Sequence, residues 1–137
     1  MDGVSLISLK PVHDDRGDLI VVENKRDVPF DIARVYYLYN VPVNSARGGH
    51  AHKTLRQVIF AMSGSFRLTV KNGEASEQIV LRDPGIGVLV ENLIWREIDL
   101  FSQGSVCMVL ASQIYDESDY IRDFDEFKAL SLGKPLK

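Results

Sequence analysis

The stretch FRLTVKNGEASEQIVLR, residues 66–82, constrains the fold more than any other part of the chain. Phe66, Leu68 and Val70 alternate with Arg67 and Thr69, the period-2 pattern of a strand with one buried face. Asn72-Gly73 follows at once, a pair suited to the left-handed backbone of a hairpin turn, and SEQIVLR supplies the return strand. The same style recurs on both sides. LIVVEN, IARVYYLYN and QVIFAMSGS precede the hairpin, and GVLVE, LIWREID and SVCMVLAS follow it. All are short β-branched or aromatic runs separated by Asp, Gly, Pro or Asn. About nine or ten short strands joined by turns predict an all-β sandwich or barrel. Only DFDEFKALS reads as helix: Phe124, Phe127 and Leu130 recur every third residue, acidic side chains come early and Lys128 late, as the helix dipole favours.

A chain of 137 residues fits one domain, taken here as 1–137, able to bury a core without disulfides. No linker, low-complexity tract or repeat interrupts it. The net charge of −3 and the pI near 5.6 argue against nucleic acid or an anionic membrane as partner. An anionic ligand must then be held by a few placed arginines. The single cysteine, Cys107, lies in the apolar run SVCMVLA and reads as a small buried hydrophobe. MDGVSLISLK lacks the charged start and long apolar core of a signal peptide, and no apolar run approaches ~18 residues, which predicts a cytoplasmic protein.

His50 and His52 raise the chemical question. In RGGHAHKTLRQ they stand at i and i+2, so on an extended chain they share a face. Such a pair suits a metal site, and equally an acid beside a base. Four residues separate His52 from Gln57, and six separate Gln57 from Gly64. This resembles the first motif of the cupin superfamily, jelly-roll barrels in which two histidines and a glutamate usually bind a metal. DPGIGVLVENLIWRE resembles the second motif, with Arg96 near the expected last histidine. An amide thus replaces a carboxylate, and a guanidinium, which has no lone pair to give a cation, replaces an imidazole. Two histidines alone make a weak metal site. The pattern predicts neither metal nor other cofactor.

The resemblance is closer to one group of cupins. RGGHAHKTLRQVIFAMSGS, IARVYYLYN, DDRGDLIVVE, WREIDLFSQGSVCMVLAS and YDESDYIRDFDEFK together resemble the nucleotide-sugar 3,4-ketoisomerases, from about residue 5 to 130. The resemblance implies a cupin-type jelly-roll β-barrel with a short C-terminal helix. It implies a metal-independent enzyme converting dTDP-4-keto-6-deoxyglucose to a 3-keto sugar on the route to 3-amino-3,6-dideoxyhexoses. It also implies a homodimer that exchanges N-terminal strands.

That reaction removes a proton from C3, beside the C4 ketone, and delivers one to C4 through an enediol. A weak carbon acid needs a positioned base and a hydrogen bond to the developing oxyanion. By resemblance His50 and His52 are the acid/base pair, since imidazole accepts and donates near neutral pH; His52 is favoured for the carbon proton and His50 for the transfer between oxygens. Tyr36 and Arg34 share a strand face, so Tyr36 is the expected pocket hydroxyl and Arg34 a phosphate ligand, whereas Tyr37 on the other face reads as a core aromatic. Arg47 is expected to fork onto the pyrophosphate, with Gly48 and Gly49 letting the backbone approach closely. Arg16 reads as a solvated turn residue, though the family position reaches the sugar. Gln57 is expected to orient a histidine or a sugar hydroxyl, or to be a structural amide. Arg96 sits where it could decide which face of C4 is protonated, leaving gluco and galacto products both open. Two other functions compete: a dTDP-sugar 3,5-epimerase, and a non-catalytic sugar-binding cupin belonging to a bifunctional acyltransferase. The His-x-His pair and the short chain disfavour the epimerase.

Overall fold

The computed structural model describes residues 1–133; residues 134–137 of the assigned domain lie outside the described residues. Among residues 1–133 strands dominate, and one α-helix comes last. The N-terminal strands are β1 (Val4–Ser8), β2 (Val12–Asp14), β3 (Gly17–Leu19) and β4 (Arg34–Leu38). Next come β5 (Arg47–His52), β6 (Gln57–Ser63), β7 (Phe66–Lys71) and β8 (Ser76–Leu81). The last are β9 (Ile86–Val90), β10 (Trp95–Asp99), β11 (Val106–Ala111) and β12 (Tyr120–Ile121), followed by α1 (Phe124–Leu132). Two five-stranded sheets, ordered β1-β9-β6-β11-β4 and β12-β5-β10-β7-β8, face each other in the jelly-roll manner, with every pairing antiparallel. The β2–β3 hairpin stands apart as its own small sheet.

Side-chain alternation fills three apolar layers. Inward residues Phe66, Leu68 and Val70 of β7 meet Ile59 and Ala61 of β6, Val88 and Val90 of β9, and Cys107 and Val109 of β11. This is the central core, and Cys107 within it is fully buried, its thiol pushed up to about 12 by that burial. The outward faces of β6, β9 and β11 are buried too: Val58, Phe60, Leu89 and Leu110 pack under Leu9, Val28 and Phe30. Burial on both faces explains why VIFA, residues 58–61, is a continuous apolar run. A third layer, Ala51, Trp95, Ile121 and Phe127, lies beneath the C-terminal helix.

Three expectations need correction. LIVVEN is not a strand beyond Leu19: Ile20 and Val22 pack onto the outer layer, and the chain then turns through Lys25 at φ 61. Asn24 accepts from the Ile32 amide (2.6 Å) and Asp27 from the Glu23 amide (2.6 Å), so side chains satisfy backbone that a sheet would have paired. Tyr37 is no core aromatic; it is 62% exposed on the outer face of β4, tilted against Tyr39. The helix buries only Phe127 and runs on to Leu132, which leaves Leu130 exposed and Lys128 mid-helix with no basic residue in the last turn. A spacing of i, i+3, i+6 drifts around the helix, so three such residues cannot all face one small patch. The start is as the sequence implies: Asp123 accepts from the Glu126 amide at 3.0 Å.

The hairpin of residues 66–81 forms with Lys71 opposite Ser76, its loop held by Asn72, whose side chain accepts from the Glu74 and Ala75 amides. Phe127→Ala should lower unfolding free energy by about 3–5 kcal/mol, the cost of emptying a fully buried phenyl site. Urea denaturation measures it, and a loss below about 1 kcal/mol would show that the helix contributes little to the third layer.

Candidate active site

The site lies between the two sheets, at the end where β4 of one faces β5 and β10 of the other. A cavity of about 330 Å³ opens there, lined by Arg34, Tyr36 and Leu38 from β4, by Arg47, Gly48 and His50 from β5, and by Arg96, Tyr120 and Arg122. Strand parity places them. Arg34, Tyr36 and Leu38 share the inward face of β4, while Val35 and Tyr37 face out. His50 and His52 share the inward face of β5, and Ala51 between them points into the layer under the helix.

Arg96 organises the wall. It stands opposite His50 in the β10–β5 ladder, and the register then slips, so that Ile98 opposes Arg47. Gly48 makes the slip possible with φ +78, and a Cβ there would lie 2.5 Å from Arg96 Nη1. The guanidinium therefore rests directly on the strand backbone. It is 2% exposed and donates from Nη2 to the Tyr36 hydroxyl at 2.7 Å, joining the two sheets across the cavity. Since the Tyr36 oxygen accepts that bond, its own proton is free to point elsewhere. Burial raises the Tyr36 pKa, against the opposing pull of Arg96.

The histidines differ in setting. His50 is on the cavity wall, and its Nε2 is buried without a partner. His52 is deeper, its ring 5.0 Å from that of His50 and edge-on to it. Its Nδ1 lies 3.1 Å from Asp119 Oδ2. Tyr120 packs against both, at 4.9 Å from His50 and 4.4 Å from His52. Burial, then the Arg96 charge, depresses the His50 pKa to about 2. The same two causes bring His52 down to about 4, where Asp119 partly opposes them. Both rings are thus neutral at physiological pH, unlike the near-neutral titration expected from an unperturbed imidazole.

Charge on the wall is one-sided. Arg34, Arg47, Arg96 and Arg122 line the cavity, and among the described residues no carboxylate does. Arg122 pairs with Glu117 and lies over the Tyr120 ring. Arg34 Nε is buried without a partner, as is Arg96 Nε. Buried donors left unpaired around one opening mark a place where a ligand completes the bonding.

Most residues expected from the sequence converge here: His50, His52, Tyr36, Arg34, Arg47 and Arg96. Three do not. Arg16 sits in the β2–β3 turn, its side chain 90% exposed and bound to Asp14. Gly49 faces Trp95, and Gly48 holds the wall position instead. Gln57 is buried on β6 in the opposite sheet, inward beside Ile59, with its Oε1 unpartnered and off the cavity wall. The sequence reading missed Asp119, Tyr120 and Arg122. They belong to a two-residue strand and its flanks, too short for any periodic signal, and only pairing of Tyr120 with His52 brings them in. Among the described residues no group of three His, Cys, Asp or Glu side chains could hold a metal ion.

Known proteins share this sequence pattern and fold. The family model described as WxcM-like, C-terminal (FdtA) matches residues 2–131. The chain is 42% identical over 123 residues to a TDP-4-oxo-6-deoxy-α-D-glucose-3,4-oxoisomerase from Aneurinibacillus thermoaerophilus, covering 90% of this chain and 88% of the relative. The fold superposes with a TM-score of 0.97 on a variant of the 3,4-ketoisomerase QdtA from Thermoanaerobacterium thermosaccharolyticum in complex with TDP-4-keto-6-deoxyglucose. That match is 39% identical and covers 100% of this chain and 99% of the other. A TDP-quinovose 3,4-ketoisomerase from Campylobacter jejuni is similar at 43% identity and TM-score 0.91, over 94% of this chain and 99% of that one.

The depressed histidines give a pH prediction. Below an imidazole's ordinary 6.5 the unfolded chain binds protons that folded His50 and His52 refuse. Their effect on stability is therefore smallest above that pH and grows more unfavourable as pH falls toward about 4 for His52 and about 2 for His50. Chemical denaturation between pH 7 and pH 4.5 should show stability falling, with a limiting slope of about 1.4 kcal/mol per pH unit for each histidine. The His50→Asn, His52→Asn double variant should flatten the profile; an equally steep one would place the acid sensitivity elsewhere.

Proposed function

The chain belongs to the WxcM-like, C-terminal family (FdtA), and from that premise we propose that it is a nucleotide-sugar 3,4-ketoisomerase acting on a TDP-linked 4-keto-6-deoxy sugar. One observation carries the reading most directly: a neutral histidine with a free, buried Nε2 faces a cavity ringed by four arginines in an acidic protein. A base without a partner suits proton abstraction, and the arginines suit a pyrophosphate.

The reaction moves one hydrogen from C3 to C4 and one from O3 to O4. In the proposed sequence His50 Nε2 takes the C3 proton, because it is the imidazole on the cavity wall; this exchanges the roles favoured from sequence. The electron pair left at C3 forms the enediolate double bond, and negative charge collects on O4. Arg96 and the free proton of Tyr36, held together across the cavity, are assigned to stabilise that charge. Proton transfer from O3 to O4 is assigned to His52, and the imidazolium of His50 returns its proton at C4, where the C4 ketone has become a hydroxyl. Neutral rings are suited to this cycle, since the proton they later donate comes from the substrate. Arg34, Arg47 and Arg122 hold the pyrophosphate. Gly48, in place of Gly49, keeps the wall low, and Arg16 and Gln57 remain outside the contacts we assign. No metal or cofactor enters the scheme.

Further parts of the proposal concern context. Residues 1–137 form one catalytic domain, and the buried free thiol of Cys107 suits the reducing cytoplasm. No helix among the described residues is long and apolar enough to cross a membrane. The assembly is a homodimer exchanging N-terminal strands: β1 is a terminal edge strand paired with β9 over Val4–Ser8, an element that two copies can trade. Sedimentation should then give twice the 15.4 kDa chain mass, and a monomer at micromolar concentration would remove the dimer.

The decisive experiment incubates the protein with dTDP-4-keto-6-deoxyglucose in deuterated water and follows it by NMR. Deuterium should enter the migrating position, a 3-keto product should accumulate, and the C5 hydrogen should be retained. Exchange at C5 would favour the epimerase, and no exchange at all a binding module. His50→Asn should cut turnover by roughly 10² to 10⁴ while leaving dTDP affinity intact. Turnover after exhaustive chelation should be unchanged; rescue of a chelated enzyme by one added metal would overturn the metal-free scheme.

A further inference from the structure

Asp119 accounts for more bonding than a surface loop needs. Its carboxylate is 7% exposed and receives three donors from one short segment: the Thr54 amide at 2.8 Å, the Thr54 hydroxyl at 2.7 Å and the Leu55 amide at 3.2 Å. The fourth contact is His52 Nδ1 at 3.1 Å. Backbone pairing fixes where the carboxylate stands. Tyr120 opposes His52 and Ile121 opposes Ala51 in the β12–β5 ladder, while the Lys53 amide donates to the Asp119 carbonyl. The side chain therefore has little freedom to leave His52.

Given the ketoisomerase reading of the cavity, on which this inference rests, we propose that Asp119 is a positioning residue that locks His52 in the tautomer with the proton on Nδ1, keeping Nε2 as the proton-accepting atom. The chemistry is one of donor and acceptor counting. An ionised carboxylate only accepts, so the ring nitrogen facing it must carry hydrogen. A neutral imidazole has one such nitrogen, and the other then holds the lone pair. Burial raises the Asp119 pKa, and the bonds from the Thr54 hydroxyl and the Thr54 and Leu55 amides outweigh it, so the group stays below its usual value and ionised. Arg96 and Arg34 bear on His52 from the cavity side, both opposing a second proton on the ring. Asp119 thus settles where the single proton sits, while the arginines prevent another from joining it.

A merely structural role would explain the Thr54 and Leu55 bonds but not the histidine contact. Asp119→Asn separates the two, because an amide oxygen in the place of Oδ1 still accepts from the Thr54 amide and hydroxyl, whereas an NH2 in the place of Oδ2 gives up the Leu55 bond and reverses the donor requirement at His52. Nitrogen-15 NMR of histidine-labelled protein at neutral pH should show His52 protonated on Nδ1 in the wild type and on Nε2 in Asp119→Asn. Turnover of dTDP-4-keto-6-deoxyglucose should fall about 10²-fold or more in the variant, with dTDP affinity retained. Wild-type His52 found with its proton on Nε2 overturns the proposal, and this measurement stands even if the variant does not fold. So does a folded Asp119→Asn that keeps wild-type turnover. A wild-type protein that turns over no substrate yet shows the Nδ1 tautomer would sink the isomerase reading while leaving the Asp119–His52 arrangement intact.

Discussion

The Arg96–Tyr36 hydrogen bond is the constraint around which the functional end of the molecule is arranged. It joins a strand of one sheet to a strand of the other, with a guanidinium that is almost wholly removed from water. Burying a cation against a neutral hydroxyl is costly unless something else completes its solvation. Neighbouring features then follow as accommodations. Gly48 has no side chain and a left-handed backbone because the guanidinium occupies that space. The β5–β10 register slips at the same point, which turns Arg47 toward the opening. His50 and His52 are forced neutral in part by the same charge. With Gln57 in place of the cupin motif's glutamate and Arg96 in place of its last histidine, a buried positive charge stands where a cation's ligands would.

Fold and site were legible to different degrees, for physical reasons. The central strands could be read because one-sided burial imposes alternation, as in Phe66, Leu68 and Val70, or because two-sided burial imposes an apolar run, as in Val58 to Ala61. The site residues of β4 and β5 could be placed on faces by the same parity. Residues 20–32 could not, since their apolar side chains cover a sheet instead of joining one, and the composition of a covering segment resembles that of a strand. Asp119, Tyr120 and Arg122 were silent for another reason. Their position depends on a two-residue ladder with β5, a tertiary fact that no local pattern encodes. The family resemblance reached that segment as a string of residues without assigning any of them a role.

The electrostatics of the empty cavity and of the working one need not be alike. Burial first, and then the charges of Arg96 and Arg122, hold the His50 imidazole at about 2, a poor acceptor for a carbon-bound proton. In the proposed function a TDP pyrophosphate brings negative charge to Arg34, Arg47 and Arg122. In that scheme its charge offsets the repulsion that an imidazolium at His50 would feel from Arg122, which raises the basicity of the ring. Nucleotide binding then does chemical work at a distance from the nucleotide. In the proposed scheme the free protein keeps a neutral, weakly basic site, and the substrate's own phosphates strengthen the base that takes its C3 proton. This is a way to direct binding energy from a non-reacting part of the substrate toward the reacting one.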